Sequence, residues 1–216
     1  IQGYAGTAKT TTVLATYADV MRRQGHVVRG FAPTANAAAQ LGEAIGSGKA
    51  GQPEAMTVAR LLLGGEKTVQ NARKGPPETW VVDEASMVSA KDMTRLLELA
   101  ERANARVVLV GDVKQLGSVG AGRAFAQLLD AGMQVHKLAE IVRQTVTKTR
   151  EAVLATIAGD GRRALQALAD GGGKVVERAE SSDRITQLAK DFAALHPDER
   201  ERTLVLDPSR EGRDKL

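Results

Sequence analysis

The chain has 216 residues, of which 43% are hydrophobic and 26% charged, with a net charge of +4. That is enough apolar material for one large domain, or one domain and part of another. The absence of cysteine excludes disulfides and thiolate metal sites and suits a reducing, cytoplasmic setting; no run is apolar for long enough to cross a bilayer, and no signal peptide opens the chain.

The first stretch, Ile1 to Thr12, reads as the end of a buried strand, a small-residue loop and a helix starting near Lys9. Such a turn presents unpaired N–H groups and the positive end of a helix dipole to one hollow, which makes it an anion site. Gly3, Gly6, Thr7, Ala8, Lys9, Thr10 and Thr11 would line it. Lys9 adds a cation, and the Thr10 hydroxyl can hold magnesium, as in the phosphate loop of P-loop NTPases. Ala8 stands where that motif has its second glycine. Glycine is obligatory there only if the backbone needs a positive φ or the phosphate approaches within a methyl radius; at negative φ alanine is tolerated and stiffens the loop. The same stretch also reads as a Gly-rich turn before a helix.

Val27–Ala32 reads as a second strand, broken by Pro33, with Thr34 capping a helix that follows. Thr57 caps a short helix over 58–63. Residues 64–77 are rich in Gly, Pro and Lys and read as a solvated loop or as a small inserted excursion carrying a hairpin. Thr79–Val82 is a short apolar strand ending in Asp83-Glu84, the form of a Walker B element on a strand neighbouring the phosphate loop. Asp83 would hold magnesium opposite Thr10, and Glu84 would orient and deprotonate the attacking water. A strand end running into a helix start also carries acids for its own reasons. Residues 89–103 read as an amphipathic helix and Arg106–Val110 as a fully buried strand closing on Gly111-Asp112. Gln115 follows, with an amide that can donate and accept at once; it is suited to sensing a γ-phosphate, or is a polar loop residue. A helix over 121–131 and a strand over 135–138 come next. Arg143 then offers the planar fork of an arginine finger, or a solvated charge.

Strands alternating with helices predict an α/β fold: a parallel sheet flanked by helices on both faces, with ligands at the carboxyl ends of the strands. Residues 1–144 would form this lobe. From 145 onward two helices, a Gly171–Gly173 turn, a strand over 174–177, a helix over 183–195 and a strand over 203–206 read as the opening of a second α/β lobe. The chain begins inside a motif and ends soon after a new strand, so it reads as part of a longer protein.

The ordered series Gly3–Thr10, Ala32–Ala35, Thr57–Arg60, Val82–Met87, Val110–Leu116 and Leu138–Gln144 resembles the motifs of superfamily 1 DNA helicases. It is most similar to the RecD-like, 5′→3′ branch and to the helicase part of conjugative relaxase-helicases. The resemblance implies a RecA-like ATP-binding lobe that uses ATP and Mg2+ and acts on single-stranded DNA. It implies that Glu84, Gln115 and Arg143 serve hydrolysis, and that Pro33, Thr34, Asn36, Thr57 and Arg60, with Ser209 and Arg210 from the second lobe, line the DNA track. It further implies a second helicase lobe and a relaxase domain elsewhere in the parent chain; no relaxase His cluster lies within these residues. Aromatic residues are 3% of the chain, so base stacking cannot be extensive, and Tyr4, Phe31 and Trp80 read as sheet packing. Two readings compete: a nucleotide-independent single-strand-binding module on the same fold, and a P-loop NTPase that does not act on DNA. The retained Lys9, Thr10, Asp83, Glu84 and Arg143 speak against the first, and the 111–116 and 141–144 runs against the second.

Overall fold

The structure is a computed structural model. It describes residues 1–3, 9–48, 51–113, 120–138, 146–207, 212 and 214, with Lys9, Thr10 and Thr11 described by their backbone. The chain divides into two compact units, Ile1–Arg150 and Glu151–Leu216.

The first unit contains β1 (Gln2–Gly3), a π-helical segment (Lys9–Leu14) that runs into α1 (Ala15–Arg23), β2 (Val27–Ala32), α2 (Ala35–Ile45), β3 (Met56–Thr57), α3 (Val58–Lys74), β4 (Glu78–Val82), a 3-10 turn (Ala85–Met87), α4 (Ala90–Arg102), β5 (Arg106–Leu109), α5 (Ala124–Asp130) and β6 (Lys137–Leu138). All pairings are parallel, in the order β3-β2-β4-β5, with β1 paired to β6. A parallel bridge between Gln2 and Gly111 joins the two sets. The edge order is therefore β3-β2-β4-β5-β1-β6. This corrects one expectation: the Asp83 strand is not the neighbour of β1, because β5 lies between them. Sequence spacing cannot reveal such an insertion, since all three strands are short, apolar and separated by helices.

Alternation along the strands sends side chains to two cores. Phe31, Trp80, Val82 and Leu109 pack with Leu61, Val69, Met93, Leu96 and Phe125 of α3, α4 and α5. Val28, Val81 and Val110 pack with Leu14, Ala18, Met21, Leu41 and Ile45 of α1 and α2. Phe31 and Trp80 meet edge to face at 5.3 Å between centroids and are fully buried, which places them in the sheet as expected and removes them as base-stacking platforms. Tyr4 lies outside the described residues.

The stretch read as a loop or hairpin excursion is helix. α3 runs unbroken through Gly64–Lys74. Its buried positions Val58, Leu61, Gly65, Val69 and Ala72 keep helical spacing, and that periodicity outweighs the cost of two glycines. Gly65 packs closely on α4: a Cβ there would stand 2.6 Å from Leu99 Cδ1 and would push that side chain aside. An exposed fork from Arg102 of α4 to Glu66 of α3, at 2.7 and 2.5 Å, spans the same pair of helices. Its hydrogen bonds hold the Glu66 carboxyl below the usual range.

The second unit holds most of α6 (Thr147–Ile157), together with α7 (Gly161–Asp170), α8 (Ser181–Ala193) and α9 (Pro197–Glu201). The strands expected over 174–177 and 203–206 do not form among the described residues. A strand needs a partner for its backbone groups. Here none is supplied, and Leu204 and Leu206 are 78% and 77% exposed. The Gly171–Gly173 stretch is a turn closing α7, with Gly172 at φ +90°.

One network has no counterpart among the sequence expectations. Glu78, 5% exposed at the start of β4, accepts a two-pronged pair from Arg29 at 2.8 Å each and the Trp80 indole N–H at 2.7 Å. A buried carboxylate with three donors tolerates its desolvation; with its cation gone it does not. Arg29→Met is expected to lower the stability of this unit by about 3–5 kcal/mol in a denaturant titration. Asp19→Asn, which touches only the exposed contact to Arg22, is expected to change it by less than about 0.5 kcal/mol.

Candidate nucleotide and nucleic-acid site

Every described candidate of the first unit sits at the carboxyl ends of the strands. Gly3 closes β1 and is buried; its N–H donates to Gly111 O at 3.2 Å. The helix that receives the next loop starts at Lys9 as a π-helical segment, a rare form that is frequent at functional sites. Gly6, Thr7 and Ala8 lie outside the described residues, as do Gln115, Arg143, Ser209 and Arg210.

Asp83 follows β4 and is 7% exposed. Its N–H donates to Phe31 O, and its Oδ1 accepts the Glu84 N–H at 2.9 Å. Glu84 is in the left-handed region, at φ 49° and ψ 39°. A glutamate in that region costs about 1–2 kcal/mol, and such outliers concentrate at functional sites. The turn has a clear effect. In a continuing strand Asp83 and Glu84 would alternate to opposite faces; the left-handed residue breaks that alternation and starts the 3-10 turn. The Ala85 N–H then donates to Val110 O at 2.8 Å, which ties the acidic turn to β5.

β5 thus connects both halves of the site. Val110 O receives the turn after β4, and Gly111 O receives Gly3 of β1. From β4 to β1 is two inter-strand steps, about 10 Å. Gly111 is tightly packed: a Cβ there would lie 3.0 Å from Phe125 Cε1 and 3.1 Å from Ser86 N, so a side chain requires those neighbours to shift. Beside it Asp112 is 5% exposed. Neither the Gly111 contact nor the burial of Asp112 was assigned a role from sequence. The available signal was the Gly-Asp pair closing a wholly apolar strand.

Among the described residues no group of three His, Cys, Asp or Glu side chains could hold a metal. The donor set suits Mg2+ bound to a nucleotide, which takes one or two carboxylates and draws its other oxygens from phosphate, hydroxyl and water. Asp83 and Asp112 are the buried carboxylates at this edge, and Asp83 is the one the sequence assigns to the metal.

The candidates for a DNA track gather at the other end of the same edge. β2 and β3 run parallel with Ala32 opposite Thr57, so the starts of α2 and α3 stand side by side. Thr34 Oγ1 accepts the Ala37 N–H and Thr57 Oγ1 accepts the Arg60 N–H, both at 3.2 Å. Both threonines are the N-caps expected from sequence. Ser89, the N-cap of α4, both accepts from Asp92 N and donates to Asp92 Oδ2. α2 and α3 have no acid in the first turn, and none of the hydrogen bonds among the described residues engages the Thr34 or Thr57 hydroxyl proton. Two N-cap hydroxyls that accept inward can donate outward, beside two helix N-termini, which is an arrangement for anions. Thr34, Asn36 and Arg60 are exposed, and Pro33 and Thr57 half-buried.

Comparison with known proteins places this geometry. A family profile described as an AAA domain matches residues 1–180. The RecBCD enzyme subunit RecD of Mycobacterium tuberculosis is 36% identical over 195 residues, covering 79% of this chain and 34% of its own. The ATP-dependent RecD2 DNA helicase of Deinococcus radiodurans is 38% identical over 146 residues, covering 67% and 19%. The multifunctional conjugation protein TraI of Escherichia coli is 32% identical over 176 residues, covering 78% and 10%. The chain therefore spans about a third or less of the length of these relatives. With the profile matched over most of its length and an α/β sheet of the expected class, the chain belongs to the AAA-domain family, with RecD, RecD2 and TraI among its relatives.

Proposed function

We propose that this chain is the ATP-binding lobe of an ATP-dependent 5′→3′ DNA helicase that moves along single-stranded DNA, within a cytoplasmic parent of the conjugative relaxase-helicase type. One observation carries the reading. A single sheet edge holds the start of the phosphate loop, the Asp83-Glu84 turn and two adjacent helix N-termini, in that order across β1-β5-β4-β2-β3. Nucleotide chemistry and a phosphate track then share one rigid frame.

When bound, MgATP supplies the γ-phosphoryl group and the charge that the site must hold. The residues proposed to hold it are Gly3, Gly6, Thr7, Ala8, Lys9, Thr10 and Thr11, with Lys9 as the cation and Thr10 and Asp83 toward the metal. Glu84 orients a water and takes its proton, Gln115 reports the γ-phosphate to the DNA side, and Arg143 offsets charge there. Asp83 accepts the Glu84 backbone N–H, so the two acids are set relative to each other before any ligand arrives. Pro33, Thr34, Asn36, Thr57 and Arg60, with Ser209 and Arg210, contact phosphates without reading bases. The second helicase lobe of the parent completes the motor, since work requires two lobes that close and open around ATP.

The full-length parent is expected to hydrolyse ATP faster with single-stranded DNA than without it. Glu84→Gln is expected to cut turnover at least about 100-fold while ATP binding persists; Lys9→Ala is expected to lose binding as well. Turnover indifferent to DNA would indicate an NTPase of another purpose, and DNA binding with no turnover a nucleotide-independent module. Thr34→Asp and Thr57→Asp separate capping from DNA binding. Asp caps helices as well as Thr does, so the melting temperature should hold. A carboxylate in the track should weaken binding to an oligothymidine and flatten its salt dependence by about 0.7 for each phosphate that is no longer neutralised. Unchanged affinity in both variants would remove these caps from the track.

A further inference from the structure

The outermost strands differ from the rest of the sheet on the side that α5 covers. A parallel sheet covered on both faces is apolar on both, and β2, β4 and β5 meet this side with Phe31, Trp80, Val82 and Leu109. β1 and β6 meet it with Gln2 and Lys137. Gln2 is bridged to Gly111, whose missing Cβ would point at Phe125 of α5, and it is the register partner of Lys137. Paired residues share a face, so both side chains turn toward α5, while Ile1 and Leu14 pack on the opposite face. α5 answers with polar residues: its cap Arg123, then Gln127 and Asp130, recur at i, i+4 and i+7 on one stripe. Between the two polar rows lies a cavity of about 560 Å3, walled by Val113, Leu129 and Val135. Small-molecule sites span about 300–1,000 Å3. No hydrogen bond or ion pair among the described residues engages the side chain of Gln2, Arg123, Gln127, Asp130 or Lys137. Two cations, an acid and two amides thus share a cavity without closing on one another.

We propose that this cavity binds a mononucleotide at a site separate from the proposed ATP edge. Arg123 and Lys137 suit its phosphate, since hydrogen bonds between a cation and phosphate oxygens are among the strong ones. Gln2 and Gln127 each present a donor and an acceptor, and Asp130 adds acceptors; a nucleobase edge carries the same functions. Val113, Leu129 and Val135 offer apolar walls to a flat ring. An inorganic anion or a dicarboxylate would engage the cations and leave the amides and Asp130 without partners. The nucleotide is either free or one unit of a single strand; the chemistry is the same, and separate probes distinguish the two sources. The inference does not depend on the phosphate loop, because the helix that follows that loop packs through Leu14 on the other face of the sheet.

The test uses the full-length parent, with AMP, inorganic phosphate and an oligothymidine as probes. A non-hydrolysable ATP analogue with magnesium is held in excess to fill the ATP site. The main variant is Arg123→Ala/Lys137→Ala; both side chains are exposed, and an unchanged melting curve reports that it folds. Gln127→Ala, which leaves the charges in place, is the second variant. For a free nucleotide, equilibrium dialysis should show AMP bound to the wild type and weakened about tenfold or more in the double variant, as lost charge-assisted hydrogen bonds imply. Lys9→Ala should keep that binding within about twofold, and inorganic phosphate should compete at least about tenfold less well than AMP. For a strand unit, AMP should not bind, and oligothymidine binding should weaken about tenfold in the double variant and about threefold or more in Gln127→Ala. Arg162→Ala/Arg163→Ala on α7, of equal charge change, should leave both probes within about twofold of wild type. AMP binding lost with Lys9→Ala, phosphate competing as well as AMP, equal weakening in the α7 control, or neither pattern of loss would each overturn the proposal. Absence of DNA-stimulated turnover in the wild type would instead defeat the helicase reading and leave the AMP measurement to stand by itself.

Discussion

Three residues of β5 and its exit hold the site together. Leu109, Val110 and Gly111 must satisfy backbone groups on both sides at once. Val110 receives the N–H of Ala85 from the acidic turn, and Gly111 receives the N–H of Gly3 from the strand that leads into the proposed phosphate loop. Gly111 also donates to Ile1 O at 3.2 Å. Phe125 and the Ser86 nitrogen press closely on Gly111, so a side chain there would force them to shift. The separation of the two halves of the proposed nucleotide site is therefore a property of backbone pairing, which is among the least deformable features of a parallel sheet. It does not depend on long side chains finding one another.

That rigidity lets strain be placed where chemistry needs it. Glu84 is one of two non-glycine residues with positive φ among the described residues, the other being Asn104, a type that tolerates this region. The Glu84 turn is pinned in front by Asp83 and behind by the Ala85–Val110 bond, so its cost is carried by neighbours that cannot relax. Stability of the sheet comes from elsewhere, from the two apolar layers and the Arg29–Glu78–Trp80 network at the opposite ends of the strands. Substitutions can consequently separate folding from function in this lobe.

The fold class and most elements of the first unit were legible because their signals are local. Thr34 and Thr57 cap the helices they announce, and Val27–Ala32 is a strand at the bounds its apolar run suggests. What was not legible depends on partners distant in the chain. The position of β5 between β4 and β1 is set by pairing, not by composition. The glycines of α3 look like loop punctuation until Leu99 is seen against Gly65. The apolar runs over 174–177 and 203–206 have strand character, but strand character alone does not supply a neighbour. Of the site, the acidic pair Asp83-Glu84 at a strand end could be read from the sequence, while the left-handed turn that arranges the two residues could not.

The central claim is that one sheet edge seats a nucleotide at β1, β5 and β4 and a DNA strand at β2 and β3. A crystal structure of the full-length parent with a non-hydrolysable ATP analogue, magnesium and an oligothymidine tests it most directly. The account predicts phosphates against the Gly3–Thr10 turn, magnesium held by Asp83 directly or through one water, and DNA phosphates against Thr34 and Thr57. A nucleotide seated away from Asp83, or DNA that passes the lobe without touching the starts of α2 and α3, would contradict it.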